Sequence, residues 1–310
     1  MAPLIGALQS LHDGACSSPS MTARAPVIVR VVFCGSAAGK AKVKLAIFLI
    51  ENVVFMGKIE EYIKDGIARK GGLLFALIDP VDYKGPKDAI DAGVQSSESG
   101  ADVVLIGGSM GAHGELLDVV AKGIKDKSSV PVVLFPGNIS TVTKYADAIY
   151  FMSLLNSRNP YWITQAQMLA APSIKKMGIE ALPVGYIVIS PGGTVGWVGD
   201  VNLVPRDKPQ IAAALAMAAE LSGSRLVLTD CGSNPKEGHM PLEMVSAVAK
   251  SISIPHIVGG GVRTPAEAAA VITAGAGAVQ VGTALEKGGD VKKKVSELAK
   301  AVHEAGKKKV

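Results

Sequence analysis

The sequence has little of several residue types, and each shortage argues against a class of protein. Its 310 residues include three cysteines, Cys16, Cys34 and Cys231, which form neither a CxxC pair nor a set with zinc-ligand spacing. This argues against a disulfide scaffold and a zinc module, and sparse cysteine is typical of a reducing cytoplasm. Aromatic residues make up 5% of the chain, and no basic patch is interleaved with them. Nucleic-acid binding is therefore not predicted.

Long hydrophobic runs are also missing. The longest, Leu45–Met56, is interrupted by Glu51 and Asn52 and is shorter than the roughly 18 residues that a membrane span needs. It also begins too far along the chain for a cleavable signal, so we expect a cytoplasmic protein. The net charge of +5 lies largely in the lysine-rich segments Lys40–Lys44 and Lys307–Lys309. We interpret these as solvated tails, although such a field would also favour an anionic substrate.

The pattern along the chain divides it into two parts. Residues 1–55 show no sustained helix or strand period before Val43, which predicts an N-terminal extension, either disordered or produced by an upstream start. Within it, Gly35–Lys40 faintly resembles a phosphate loop, but three residues rather than four separate its glycines and Ala41 follows the lysine, so we do not predict phosphate binding there. Residues 56–310 are regular and are predicted to form one catalytic domain.

Eight short apolar runs separated by helical segments predict the fold of this domain. Continuous apolar runs are typical of parallel strands buried on both faces. Eight such units in residues 56–310 match an α/β fold of the (β/α)8 TIM-barrel type, and a doubly wound open sheet is the alternative. The predicted strands are Leu73–Asp79, Val103–Gly107, Val132–Pro136, Ala148–Met152, Val184–Ser190, Arg225–Asp230, His256–Gly259 and Ala278–Gly282. The predicted helices include Glu115–Lys127, Lys208–Ser222, Pro241–Ser251, Pro265–Ala274 and Val291–Ala305.

Polar residues at the ends of strands 1, 2 and 6 are candidates for the chemistry, because barrel active sites lie at the carboxyl ends of the strands. Asp79 follows strand 1 and is either an Mg²⁺ ligand or a turn residue before Pro80. Ser109, after strand 2, either offers a hydroxyl to the same site or caps the next helix. Asp230 ends strand 6 and could accept a proton from a hydroxyl nucleophile.

Glycine-rich loops after strands 6, 7 and 8 predict a phosphate site. Gly232 follows strand 6, Gly259–Gly261 end strand 7, and Gly282–Thr283 end strand 8. Backbone N–H groups in such loops, together with a helix N-terminus, hold phosphate in many barrels. Thr264 is placed to cap the following helix, with Pro265 at its first position. The loops predict a phosphorylated ligand without identifying a reaction, and a purely structural role for the glycines is the alternative.

Three segments resemble the geranylgeranylglyceryl phosphate synthase family of archaeal lipid enzymes. They are Val130–Asn138, Phe151–Tyr161 and Gly185–Gly199, and the resemblance extends from about Gly71 to Val291. It implies a prenyltransferase that joins sn-glycerol 1-phosphate to geranylgeranyl diphosphate through an ether bond and releases diphosphate. It also implies a homo-oligomer, a lipid product that brings the enzyme to the membrane periphery, and an apolar groove across the barrel for the prenyl chain.

The resemblance also assigns roles to the strand-end residues. It implies that Asp79 and Ser109 hold Mg²⁺ and that Asp230 acts as the base. The residues that it assigns to the glycerol phosphate are Leu228, Thr229, Asp230, Cys231, Gly232, Ser233, Asn234, Gly259, Gly260, Gly282 and Thr283.

The chain departs from the family pattern mainly at strand 6. Where the family commonly has Tyr-Leu-Glu-Ala-Gly-Ser-Gly, this chain has Leu228–Asn234, without the tyrosine and with a shorter carboxylate. Val81 replaces an Asp of the strand-1 motif, and Asp82 follows one place later. Gln165 stands at a position where the family often has Gly. Three alternatives therefore stay open: a different prenyl chain length, another phosphate-binding barrel lyase or isomerase, and a non-catalytic phosphate-binding barrel.

Overall fold

Eight parallel strands close into a barrel, with each strand paired to its neighbours along the chain. The computed structural model describes residues 57–108, 111–282 and 290–310. The barrel closes where β1 pairs with β8, with Phe75 opposite Gln280. The (β/α)8 prediction is confirmed, and the open sheet is excluded. The strands are β1 (Leu73–Ile78), β2 (Val103–Gly107), β3 (Val132–Phe135), β4 (Ala148–Leu154), β5 (Glu180–Val188), β6 (Leu226–Asp230), β7 (His256–Gly259) and β8 (Ala278–Val281).

The strands are apolar on both faces because both faces are buried. Inward side chains such as Leu105, Leu182 and Leu228 fill the barrel, while outward ones such as Val104 and Val227 pack beneath the surrounding helices. A strand with two buried faces cannot alternate between apolar and polar residues. The continuous runs in the sequence therefore predicted the strands to within a few residues.

Nine α-helices are found in the described ranges, and five of them match the predicted ones. None of the helices within those ranges is long and apolar enough to cross a membrane. The helices are α1 (Lys58–Lys70), α2 (Pro86–Glu98), α3 (Gly114–Lys125), α4 (Ala166–Met177), α5 (Gly193–Val198), α6 (Pro209–Leu221), α7 (Leu242–Ser251), α8 (Pro265–Thr273) and α9 (Val291–Gly306). A 3₁₀ turn at Pro80–Asp82 and a π turn at Tyr161–Gln165 complete the set.

The predicted start of α8 is confirmed. The Thr264 hydroxyl accepts a hydrogen bond from Glu267 N (3.2 Å), and the Glu267 carboxylate accepts one from Thr264 N (2.9 Å). Pro265 occupies the first helical position. This reciprocal arrangement fixes the helix start directly after the β7 loop.

One β/α unit departs from the predicted pattern. The segment 136–147 between β3 and β4 is described throughout and contains no helix. Among the described connections between consecutive strands, this is the one without a helix, within the confirmed (β/α)8 architecture. Without a helix there, the outward side chains Ile149 and Phe151 of β4 face α4, where they pack with Ala170 and Ile174. The outer layer of the barrel is thin on this side.

Strand β5 begins at Glu180, four residues before the predicted start. Glu180 pairs with Ala148 of β4. Its carboxylate accepts hydrogen bonds from Ile59 N (2.8 Å) and Glu60 N (2.9 Å), at the N-terminus of α1. A carboxylate at this end of a helix is favourable because the first N–H groups there lack intrahelical partners. The extra strand residues therefore attach α1 to the barrel.

The first and last helices of the barrel meet at Asp102, between α2 and β2. Its buried carboxylate accepts hydrogen bonds from Lys70 at the end of α1 (2.5 Å), His303 of α9 (2.8 Å) and Leu74 N of β1 (2.8 Å). Burial raises the pKa of Asp102, but the bonds from His303 and Lys70 outweigh it and leave the pKa below its ordinary value. The charged carboxylate therefore ties the two ends of the barrel together.

A second polar pair lies on the outer face of β6 and β7. Thr229 Oγ1 lies 2.8 Å from His256 Nε2, and both side chains are buried. Burial, with the nearby charge of Lys309, lowers the pKa of His256 to about 3. The imidazole is thus neutral in the folded protein throughout the neutral and mildly acidic range.

The buried histidine predicts a pH-dependent loss of stability. An unfolded histidine titrates near pH 6.5, so between that pH and about 3 the unfolded chain binds a proton that the folded chain does not. This linkage lowers the free energy of unfolding by about 1.4 kcal/mol per pH unit as the pH falls. We expect the double variant Thr229→Val, His256→Leu to lack this contribution, while Thr229→Val alone retains it. Urea unfolding at pH 7, 6 and 5 measures the difference, and parallel profiles for the two variants would contradict it.

Candidate active site

A cavity of about 860 Å³ opens at the carboxyl ends of the strands. Its two sides differ in chemistry. The side formed by β3, β4, the segment 136–147 and α4 is mainly apolar. Its apolar lining residues are Phe135, Ile139, Val142, Ile149, Phe151, Met152, Trp162, Ala166, Ala170 and Ile174, with Asn138 and Gln167 as polar neighbours. The opposite side, formed by the ends of β1, β2, β6, β7 and β8, carries carboxylates, glycines and Arg263. A ligand that fills this cavity has a polar end and an apolar end.

Asp230 lies at the polar side, at the end of β6. Its Oδ2 accepts a hydrogen bond from the Tyr186 hydroxyl of β5 (3.0 Å), and its Oδ1 accepts one from Gly232 N (2.7 Å). Burial raises the pKa of Asp230, and the bonds from Gly232 and Tyr186 oppose that rise. A carboxylate with a raised pKa binds a proton more tightly than an exposed one, which suits a general base.

Glycines around Asp230 allow the loops to pack backbone against backbone. Gly232 and Gly260 have φ angles of 84° and 78°, which favour glycine. A Cβ on Gly260 would lie 2.6 Å from both Asp230 Oδ1 and Gly232 O, and one on Gly232 would lie 2.5 Å from Gly192 O. The loops after β5, β6 and β7 can therefore meet only because these positions have no side chain.

Asn234 replaces the glycine that the family pattern has at this position. Its φ angle is 48°, a left-handed conformation that asparagine tolerates better than most residues. Its Oδ1 accepts a hydrogen bond from Arg263 Nη2 (3.2 Å), which also donates to Pro235 O (2.5 Å). Asn234 thus adopts a conformation open to glycine and forms a side-chain bridge between the loops after β6 and β7.

Asp79 lies across the cavity from these loops. Its Oδ1 accepts a hydrogen bond from Val81 N (3.3 Å), so it also caps the 3₁₀ turn. Burial, together with the charge of Asp82, raises the pKa of Asp79 to about 6. Gly108, with a φ angle of 141°, lies directly against this carboxylate. Asp79 and Asp82 both line the cavity and place concentrated negative charge there.

The structure brings most of the predicted site residues to one cavity, but not all. Those that line it are Asp79, Asp230, Gly232, Ser233, Asn234, Gly260 and Gly282. Ser109 and Thr283 lie outside the described residues. Gly259 lies beneath the Asp230 carboxylate, with its site for a Cβ 3.3 Å from Cγ.

Three residues of the strand-6 motif have other surroundings. Leu228 belongs to the apolar interior of the barrel. Thr229 points to the helix side, where it contacts His256. Cys231 is buried, and Arg206 Nη1 lies 3.6 Å from its sulfur. Burial and the charge of Asp230 raise the pKa of this thiol to about 12, so it is not a nucleophile.

Sequence reasoning missed the role of Tyr186. The motif comparison suggested that a tyrosine hydroxyl is lost, because Leu228 stands where the family commonly has Tyr. The structure instead supplies a hydroxyl to Asp230 from the neighbouring strand. In the register of β5 and β6, Val188 lies opposite Asp230 and Tyr186 lies opposite Leu228. The side chains of Tyr186 and Leu228 both point into the barrel. The alternation of side chains along β5 indicates which face of the strand Tyr186 lies on. Its position beside Asp230 follows only once the register between β5 and β6 is known.

The fold and the cavity define the class of protein. It is a β/α barrel with a cluster of glycine loops, a buried carboxylate and an adjoining apolar groove. Such a site suits an enzyme that acts on a phosphorylated ligand together with an apolar chain.

Comparisons with known proteins identify the family within this class. The model of the PcrB family matches residues 69–302, and the chain belongs to this family. Geranylgeranylglyceryl phosphate synthase of Thermococcus kodakarensis is 48% identical over 250 residues, which cover 80% of this chain and 98% of that protein. The synthase of Pyrococcus horikoshii is 50% identical over 232 residues, covering 75% and 90%. The resemblance inferred from the sequence is confirmed.

A solved structure agrees with this relationship. The crystal structure of (S)-3-O-geranylgeranylglyceryl phosphate synthase from Thermoplasma acidophilum, in complex with its substrate sn-glycerol-1-phosphate, matches with a TM-score of 0.75. The two chains are 35% identical, and the match covers 80% of this chain and 99% of the other.

The glycine packing predicts different costs for two alanine substitutions. Gly260 and Gly238 have nearly equal φ angles of 78° and 76°, but a Cβ on Gly238 meets nothing within 4 Å. Both substitutions incur the left-handed penalty of about 1–2 kcal/mol, and only Gly260→Ala adds a clash with Asp230 and Gly232 O. We expect Gly260→Ala to lower the free energy of unfolding by at least about 1 kcal/mol more than Gly238→Ala. Urea denaturation measures both, and equal losses would refute the packing argument.

Proposed function

We propose that the protein is a geranylgeranylglyceryl phosphate synthase, which transfers the prenyl group of geranylgeranyl diphosphate to the C3 hydroxyl of sn-glycerol 1-phosphate. The observation that carries the proposal is the position of Asp230, buried where the glycine loops adjoin the apolar groove. The relatives' names and the bound substrate of the Thermoplasma acidophilum enzyme support the same assignment.

The acceptor binds at the polar side of the cavity. Its phosphate accepts hydrogen bonds from backbone N–H groups of the loops after β6, β7 and β8, near Gly232, Gly260 and Gly282. The Arg263 guanidinium, held by Asn234 and Pro235, adds positive charge at this side. Fixing the phosphate leaves the glycerol carbons to extend toward Asp230, which turns a bimolecular encounter into an oriented one.

Asp230 accepts the proton of the attacking hydroxyl. As the C3 oxygen forms its bond to C1 of the prenyl chain, the bond between C1 and the diphosphate oxygen breaks, and diphosphate leaves. The proton passes to the Asp230 carboxylate, whose raised pKa favours that transfer. The Tyr186 hydroxyl and Gly232 N keep the carboxylate facing the acceptor in a single orientation.

The apolar side of the cavity takes the prenyl chain. Its walls come from β3, β4, the helix-free segment 136–147 and α4, including Ile149, Phe151 and Ile174. Burying the chain there removes apolar surface from water and holds its diphosphate end toward the polar side. The depth of this groove sets the chain length, so a C25 or C35 donor is the alternative within the same reaction.

Mg²⁺ is part of the proposal. Asp79 and Asp82 fit a divalent cation, because burial and mutual repulsion already raise the pKa of Asp79 and a cation would relieve that repulsion. One or two carboxylates suffice for Mg²⁺, which takes its other ligands from substrate phosphates and water. We propose that Asp79 holds it, with Ser109 as the family resemblance implies. When bound, Mg²⁺ neutralises charge on the departing diphosphate.

The expected homo-oligomer and the cytoplasmic, membrane-peripheral location stay predictions. Trp197 of α5 has 86% of its surface exposed, as an interface anchor would have in an isolated chain.

A product assay tests the function directly. The protein is incubated with sn-glycerol 1-phosphate, Mg²⁺ and C15, C20, C25 or C35 prenyl diphosphate, and the ether product and diphosphate are measured by mass spectrometry. We expect the C20 donor to give the highest kcat/KM. Asp230→Asn should lower kcat at least about 100-fold, because general base catalysis contributes roughly that factor. No product from any donor would refute the function, and near-normal turnover of Asp230→Asn would refute the role of the base.

The metal proposal predicts a specific response to Asp79→Asn. We expect activity to be lost with EDTA and restored by Mg²⁺, and the variant to need at least about 10-fold more Mg²⁺ for half-maximal rate. Because the pKa of Asp79 lies at about 6, the apparent Mg²⁺ affinity of the wild type should weaken as the pH falls through that value. Asp118→Asn, on the exposed surface of α3, is the control. Full activity in EDTA would contradict the proposal.

A further inference from the structure

Gln280 is an uncommon residue for its position at the floor of the cavity. It is the one polar residue of β8, whose sequence is Ala-Val-Gln-Val. The side chain is 5% exposed and borders the cavity. Among the described residues, its Oε1 has no hydrogen-bond partner. Native proteins rarely bury an amide oxygen without a partner, and a ligand in the cavity is one explanation.

The strand register places Gln280 beside the reacting groups. Asp230 pairs with Gly259, and Gly259 pairs with Gln280, so the three lie at one level across β6, β7 and β8. Since adjacent strands are about 4.8 Å apart, the Cα atoms of Asp230 and Gln280 are on the order of 10 Å apart. Gly259 between them has no side chain, and the Asp230 carboxylate lies over it, with Cγ 3.3 Å from the site of a Cβ. No side chain of β7 at this level therefore separates Gln280 from Asp230.

The C2 hydroxyl of the acceptor has no partner among the contacts proposed above. The acceptor's phosphate binds the glycine loops, and its C3 hydroxyl contacts Asp230. The C2 hydroxyl is adjacent to the C3 hydroxyl on the same three-carbon chain. A neutral amide can donate to or accept from a hydroxyl, and it carries no charge that would draw the phosphate away from its loops. Gln280 therefore has the chemistry and the position for the C2 hydroxyl.

We propose that Gln280 binds the C2 hydroxyl of the glycerol phosphate and is a specificity-determining residue for the acceptor. The inference rests on the proposed function and deepens it. With the phosphate and the C3 hydroxyl held at two other points, a third contact at C2 also fixes the handedness of the acceptor. A site built to hydrogen-bond a substrate hydroxyl discriminates strongly against an analogue that lacks it.

The first experiment varies the ligand and uses only the wild-type protein. The affinity for sn-glycerol 1-phosphate is compared by calorimetry with that for 3-hydroxypropyl phosphate, which differs only by loss of the C2 hydroxyl. We expect the analogue to bind at least about 10-fold more weakly, because it both loses a hydrogen bond and leaves the buried Gln280 amide without a partner. Equal affinities would overturn the role of Gln280. A wild type that binds neither ligand and forms no product would refute the proposed function as well.

The second experiment varies the residue. Gln280→Met has a similar length without hydrogen-bonding capacity, and it should bind the two ligands within about 2-fold of each other. Its KM for sn-glycerol 1-phosphate should rise about 10-fold, with the KM for the prenyl diphosphate unchanged. A folded Gln280→Met that retains the wild-type preference would overturn the proposal. Gln210→Met, on the exposed start of α6, is the matched control.

If Gln280→Met does not fold, Gln280→Asn replaces it. This variant keeps the amide and withdraws it by one methylene, so the preference for sn-glycerol 1-phosphate should fall below the wild-type value. An undiminished preference in Gln280→Asn would count against a direct contact. The ligand comparison in the wild type decides the question independently of either variant.

Discussion

The arrangement of the site depends on the carboxylate of Asp230 being buried and held at both oxygens. Tyr186 reaches one oxygen from β5 and the backbone of Gly232 reaches the other, so a single rotamer satisfies both bonds. That position is available only because Gly259 and Gly260 have no side chains where the carboxylate lies. The absence of side chains at Gly232 and Gly260 also brings the loops after β5, β6 and β7 into backbone contact. The buried Asp230 carboxylate and its glycine surroundings therefore determine the geometry of the loops after β5, β6 and β7.

Departures from the family motif are offset by the local structure. The hydroxyl missing at Leu228 is supplied to Asp230 by Tyr186. Asn234 has the left-handed backbone that glycine adopts most readily. Gln165 has an ordinary helical φ of −75°, so no glycine is required at that position. The strand-6 motif therefore differs from the family pattern in residue type but still places a carboxylate beside the glycine loops.

The sequence predicted the strands well because parallel barrel strands are buried on both faces, and the α8 start because a local motif encodes it. It predicted Asp79, Asp230 and the glycine loops because these follow directly after strands. Other features could not be predicted from the sequence by the same reasoning. The missing helix between β3 and β4 leaves no periodic signal, and α4 contains Pro172, which argues against a helix. Tyr186 and Gln280 required the register, which places distant residues side by side and is not encoded locally.

The helix-free segment between β3 and β4 has a consequence for how this enzyme can diversify. The groove walls that it exposes come from β3, β4 and α4, whereas the groups assigned to bond making come from β1, β2 and β5 to β8. Because the two sets lie on different strands, side chains such as Phe151 or Ile174 can be exchanged without displacing Asp230 or the glycine loops. Mutations in the groove can therefore change the length of the hydrocarbon chain that is accepted while the residues that form the bond stay the same. Chain-length preference and catalysis can thus evolve separately within one cavity.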